Sequence, residues 1–294
     1  MKEISASLVK ALRESTSVGM MDCKKALTET NGDIEAAKEW LRKKGLSNAF
    51  KKSDRATADG VIVAGLNSQT VVLAELNSET DFLAKNEKFI MLANEIAAEA
   101  LKTQADVNVL LGHKLPNGVM ISDAIAENIA TLGENIKLTR IKYLSLTGSG
   151  IVQYYIHNTV GGSATCGKIG VAVKIDSDKP ISDSSKVESL AKQIGMHIAA
   201  TNPESLDIAS LDQNRIEKEK SILTEQAKAS GKPDNVIEKM IEGRIRKFYE
   251  EVVLLEQAFV INPDKKVSEV ILDLGKELGC NLKLSGYLRF TLGS

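Results

Sequence analysis

Cysteine and histidine are scarce in this sequence, with three of each in 294 residues. Cys23, Cys166 and Cys280 lie far apart and are odd in number, which excludes a disulfide framework. Each reads as a small buried hydrophobe. His113, His157 and His197 are equally scattered, and no pair of ligand residues has a metal-binding spacing such as C-x-x-C or H-x-x-x-H. No metal and no cofactor are expected. The phosphate loop G-x-x-x-x-G-K-[ST] is absent, as is G-x-G-x-x-G after a strand. The segment "TVGGSATCGK" (159–168) is rich in glycine but has neither spacing, and reads as a loop between strands. The G-x-S-x-G nucleophile elbow is also missing. There is no run of ~18 apolar residues, so no membrane span is expected. The stretch "MKEISASLVKALRES" carries two acids and no continuous apolar core, so neither a secretory signal nor a transit peptide is expected. A cytoplasmic protein with no membrane partner is the default. Lys plus Arg (38) nearly cancels Asp plus Glu (39), which argues against a broad nucleic-acid surface and against direct nucleic-acid binding.

What is present is the material of about two domains, at 43% apolar and 26% charged residues, an ordinary balance for a chain that buries cores. Residues 1–45 read as a three-helix unit. Ile4, Leu8 and Leu12 share one helix face, "MMDCKKAL" (20–27) is a second short helix, and Asp33 caps a third that carries Ile34, Ala37 and Leu41. Arg42, Lys43, Lys44 and then Gly45 suit a helix end. Residues 46–59 are polar, basic and aperiodic, and read as a linker. "GVIVAGL" and "QTVVLAEL" form a β-hairpin around Asn67-Ser68. Phe89, Leu92, Ala93, Ile96, Ala97, Ala100 and Leu101 then mark one stripe of a helix. The plan recurs with strands at 151–157 and 168–175, and a helix carrying Val187, Leu190, Ile194 and Ile198. Residues 211–252 read as two charged helices with narrow apolar stripes around a "GKP" turn, a projecting helical hairpin. An amphipathic helix with Val267, Val270, Ile271, Leu274 and Leu278 and a strand at 286–292 close the chain. The expected class is α+β, with antiparallel sheets and helices on one side of each half. The expected divisions are 1–54, 55–145, 146–210 with 253–294, and 211–252.

One short stretch is unusual. In "ELNSETDF" (75–82) an acid, Asp81, stands beside an aromatic, Phe82, at a turn between strand and helix. On the residues alone, Asp81 would cap the following helix and Phe82 would pack into the core.

"LRESTSVGMMDCKKAL" (12–27) and "ELNSETDFLAKNEKF" (75–89) resemble the two signature segments of bacterial elongation factor Ts. "LGENIKLTR" (132–140), "MHIAATNPE" (196–204), "SGKPDNVIEKMIEGRIRKF" (230–248) and "GYLRF" (286–290) follow in the family's order and span most of the chain. The resemblance implies a ubiquitin-associated-like three-helix domain, a two-part core, a hairpin used for dimerisation in some members, and a C-terminal module. It implies a guanine-nucleotide exchange factor that acts on elongation factor Tu in its GDP-bound and nucleotide-free forms. Thr80, Asp81, Phe82 and Leu83 match the segment that intrudes near the GTPase's Mg²⁺ site, with Phe82 as an apolar wedge and Asp81 competing for the polar groups that order the ion. Lys24, Leu132, Gly133 and His157 match further partner contacts. Leu83 stands where the family usually has Val, Ala258 where Pro is common, and the loop 158–168 is longer than the family norm. Ser17 and Val18 replace the small residues usual in the first signature. Two other readings remain: an adaptor acting through the three-helix unit, and a small enzyme using Cys166 and His157.

Overall fold

The computed structural model describes residues 4–16, 18–228 and 233–294, without the side chains of residues 46–51, 228 and 234. The three-helix unit comprises α1 (Ala6–Thr16), α2 (Met20–Glu29) and α3 (Ile34–Lys52). Leu12, Cys23, Ala26, Leu27 and Ala37 are its buried centre. The Asp33 carboxylate accepts the Ala36 N–H at 3.0 Å, the cap that the sequence calls for. The helix does not stop at Gly45, however, but runs on to Lys52 through the first half of the expected linker. The glycine serves a close approach instead. A Cβ at Gly45 would lie 3.0 Å from the Ala130 Cβ, on a helix of the core.

That core is built on one curled sheet. β1 (Asp59–Leu66) and β2 (Thr70–Ser78) form the expected hairpin. The Asn67 side chain fastens its turn by accepting the N–H groups of Gln69 and Thr70 at 2.9 and 2.8 Å. A four-residue helix, α4 (Asp81–Ala84), leads into α5 (Glu87–Thr103), α6 (Val107–Leu111), α7 (Ile121–Leu132) and β3 (Ile136–Ser145), which pairs with β2. The second half has β4 (Gly150–Thr159), β5 (Cys166–Ser177) and α8 (Ser184–Thr201). The hairpin follows as α9 (Gln213–Lys228) and α10 (Asp234–Val252). Residues 231 and 232 of its "GKP" turn lie outside the described residues. The chain closes with β6 (Ala258–Phe259), β7 (Asn262–Lys266), α11 (Val267–Leu278) and β8 (Leu282–Thr291), which pairs with β5.

Each half therefore holds three antiparallel strands, β3-β2-β1 and β4-β5-β8, joined where Ile62 and Val63 of β1 meet Gly167 and Cys166 of β5. Strict alternation sorts the side chains of β1 and β2. Val61, Val63, Val72, Ala74 and Leu76 face α5 and α7. Ile62, Ala64, Val71 and Leu73 face the other way, onto Val152, Ile156, Ala172 and Phe290 of the second half. Both faces are covered, so these strands read as unbroken apolar runs. Phe89 of α5 is fully buried in the first core, worth about 1.5–3 kcal/mol of transfer free energy. A partly buried ion pair ties the chain's end to this half: Glu75 in β2 pairs with Arg140 of β3, and its carboxylate also accepts the Gly293 N–H at 3.0 Å.

Candidate functional site

β2 ends with Ser78 fully buried, and the chain must leave the sheet within a few residues to start α4. A helix this short has little intrinsic stability, because nucleation consumes most of what its hydrogen bonds return. Its geometry comes from its fastenings. Thr80 is the N-cap, and its Oγ1 accepts the Leu83 N–H at 3.3 Å. The Thr80 hydroxyl in turn donates to Glu134 Oε1 at 2.6 Å, and the Thr80 backbone N–H donates to Glu134 Oε2 at 2.9 Å. One residue away the exchange is reversed, and the Asn135 N–H donates to Glu79 Oε1 at 2.7 Å. That bond, helped by Arg55, holds the Glu79 carboxyl below its usual range. The Asn135 side chain donates to the carbonyls of Ser53 and Arg55 at 3.2 and 2.8 Å, and Lys52 Nζ donates to the Gly133 carbonyl at 2.6 Å.

On its inner side α4 buries Leu83 and Ala84 in the first core. On its outer side Phe82 is 80% exposed, the most exposed of the large hydrophobic side chains described. This overturns the expectation from residues alone that Phe82 packs into the core. The cap, likewise, is Thr80 and not Asp81. Asp81 instead pairs with Lys85 at 2.7 Å, which raises the lysine's pKa. Asp59 and Lys168 form a second pair nearby, and the field of Asp59 also reaches Lys85. Burial opposes ionisation of Asp59, but the bonds from Lys168 and the Gly60 N–H outweigh it and leave the pKa lowered.

Of the residues singled out in the sequence, Thr80, Asp81, Phe82 and Leu83 share this turn, and Leu132 and Gly133 adjoin it through Glu134. Gly133 is exposed and left-handed, with φ of 89° at the end of α7. His157 is exposed on β4, with Nδ1 3.0 Å from the Tyr155 hydroxyl. It precedes the loop 160–165, which is held by a bond of 2.6 Å from the Thr165 hydroxyl to Asn94 of α5. This loop lies against the junction of α4 and α5: a Cβ at Gly161 would meet Ile90 Cδ1 at 2.3 Å and the Lys85 carbonyl at 3.1 Å. Lys24 is exposed on α2 in the three-helix unit. That unit joins the core through Lys52 at Gly133 and through Arg42, which pairs with Asp123 of α7 at 2.8 Å. Cys166 is fully buried, and burial pushes its thiol pKa up. Its side-chain hydrogen bond goes to Thr165 and not to His157, so the two do not form a nucleophile–base pair.

The sequence reading missed Glu79, Glu134 and Asn135. Two of them lie in the quoted "LGENIKLTR", where only Leu132 and Gly133 were singled out. It also missed Met20 and Met21, which are 56% and 77% exposed beside Lys24. Paired methionines opening an amphipathic helix were the available signal. Among the described residues no cluster of His, Cys, Asp and Glu could hold a metal ion, and no helix is long and apolar enough to cross a membrane.

An exposed aromatic on a turn held by partly buried polar bonds is what a macromolecule-docking scaffold presents. Comparison with known proteins narrows this class. The Elongation factor TS family model matches residues 79–294. "Elongation factor Ts" of Rhodospirillum centenum is 47% identical over 294 residues, covering 100% of this chain and 94% of the relative. "Elongation factor Ts" of Gluconobacter oxydans is 46% identical over 100% of this chain and 93% of its own, and that of Rickettsia bellii is 47% identical over 99% and 92%. The chain belongs to the elongation factor Ts family, and is a translation elongation factor.

Proposed function

We propose that this chain is a guanine-nucleotide exchange factor for the GTPase elongation factor Tu. In this reading it binds the GDP form, disturbs the Mg²⁺ and phosphate site, and lets GTP replace the released GDP. The observation that carries the reading is Phe82, an 80% exposed aromatic on a turn that its neighbours hold in place.

A GTPase holds its nucleotide by backbone and lysine contacts to the phosphates and by a Mg²⁺ that offsets their charge. An exchange factor needs no acid, base or nucleophile. It needs to bind the empty GTPase more tightly than the filled one, and linkage then requires that it weaken nucleotide binding by the same factor. Each tenfold of that coupling is about 1.4 kcal/mol, within reach of one aromatic ring entering an apolar pocket. Phe82 is the wedge. Asp81 offers a carboxylate to the polar groups that order the ion, and to do so it exchanges its partner Lys85. Leu83 anchors the turn from below. Leu132, Gly133 and His157 contact the partner around the wedge, and Lys24 does so from the three-helix unit. The divisions 1–54, 55–145, 146–210 with 253–294, and 211–252 are the working units. Ile222 and Val236 of the hairpin, 40% and 38% exposed, offer apolar surface for pairing with a second copy.

The test is release of a fluorescent GDP analogue from purified elongation factor Tu in excess unlabelled GDP. A substoichiometric amount of this protein should accelerate release by more than about tenfold. A release rate equal to the spontaneous one would refute the proposal.

A further inference from the structure

We infer that Glu134 is a positioning residue for the Phe82 wedge, acting through Thr80 and not by touching the partner. The inference rests on the exchange reading above. α4 has four residues and one capping side chain, so the direction in which Phe82 points depends on where Thr80 sits. Glu134 fixes Thr80 at two atoms with one rigid carboxylate, the hydroxyl at 2.6 Å and the backbone N–H at 2.9 Å. This also settles the direction of the hydroxyl: its hydrogen points to Glu134, which leaves a lone pair for the Leu83 N–H. Glu134 therefore sets both the place of the cap and its polarity. The reciprocal bond from the Asn135 N–H to Glu79 keeps the two stretches of chain in register, so the Glu134 backbone stays opposite Thr80. Charge-assisted bonds of this kind are the stronger class. A wedge needs such fixing, because a misplacement on the order of 1 Å costs large factors in rate.

Substitutions separate positioning from contact. Glu134→Ala frees the cap. GDP release at saturating factor should fall about tenfold, while binding to nucleotide-free elongation factor Tu changes by less than about threefold. Glu134→Gln keeps the place of the cap: its amide oxygen accepts the Thr80 N–H, and its NH₂ donates to the hydroxyl oxygen, a reversed bond that still leaves a lone pair for the Leu83 N–H. It should stay within about twofold of wild type. In a Phe82→Ala background, Glu134→Ala should cost nothing further, because the wedge through which it acts is gone. Should Glu134→Ala fail to fold, Glu134→Asp withdraws the carboxylate by one methylene and carries the same expectation. Unchanged release with Glu134→Ala would overturn the inference. So would a Glu134→Gln as slow as Glu134→Ala, or a full additional loss in the Phe82→Ala background. Each of these is read against a wild type that accelerates release. A wild type that does not would refute the exchange reading instead.

Discussion

Two tips of this molecule expose apolar side chains on short, tightly turned chain, and they are fastened by different chemistry. Phe82 stands on α4, held by a carboxylate from the 132–140 segment. Val260 and Ile261, 51% and 49% exposed, stand between β6 and β7, held by a histidine from the 196–204 segment. His197 is fully buried in α8. Its Nδ1 accepts the Val260 N–H at 3.2 Å, so Nε2 carries the ring proton and donates to Gln257 Oε1 at 2.8 Å. Gln257 also accepts from the Thr201 hydroxyl at 3.0 Å and donates to the Glu251 carbonyl at 2.8 Å. The first clasp uses an ionised group near the surface. The second uses a neutral group in the core. Both place an exposed tip with a side chain distant in sequence, and each needs its acceptor atom free of a proton.

Either clasp can be removed by a single substitution. The largest stability effect belongs to the buried clasp. His197→Ala strands the Val260 N–H and opens a cavity, and should cost about 3 kcal/mol, measured by urea unfolding. A cost under about 1 kcal/mol would show that the β6–β7 turn holds itself.

Next comes acid. Burial pushes the His197 pKa below its ordinary value of 6.5. Below that pH the unfolded chain takes up a proton that the folded chain refuses, so stability falls as the pH drops through this window. The Glu79 carboxyl is also held down, from an ordinary 4.5. Its contribution is present above that value and lost only below it, so acid begins to cost stability through His197 before it does so through Glu79. Unfolding measured between about pH 7.5 and about pH 5.5 should show a loss that His197→Gln removes. A loss unchanged in that variant would assign it to other groups.

Thr80→Ala should cost about 1 kcal/mol, the usual worth of an N-cap, and should slow exchange more than this small destabilisation suggests. The smallest effect is at the exposed Asp81–Lys85 pair. Lys85→Met should leave stability almost unchanged, since the pair is exposed and screened by solvent, and a thermal melt should show little or no shift.

Much of the fold is legible in the sequence where one face is buried and the period is clean, as in α5 with its Phe89-to-Ala100 stripe. The hairpin at Asn67 is legible because its turn chemistry is local. β3 is not, because a register shift opposite Glu75 and Leu76 breaks its alternation and a half-buried arginine sits in it. The run of α3 past Gly45 is hidden for a tertiary reason: the glycine that looks like a helix end makes room for α7. The turn itself is legible as a motif. Its mechanics are not, because Glu134 and Thr80 are 54 residues apart and no local rule joins them. The exposure of Phe82 is decided by the same distant contacts, which aim α4 so that Leu83 and not its neighbour enters the core.

The most direct test of the central claim, that an exposed, rigidly held Phe82 does the displacing, is to compare Phe82→Ala with wild type in two measurements on one preparation. One is GDP release from elongation factor Tu at saturating factor, and the other is affinity for the nucleotide-free GTPase. Release should fall by more than about tenfold, and by a larger factor than the affinity does. Release at the wild-type rate, with Phe82 gone, would contradict that claim.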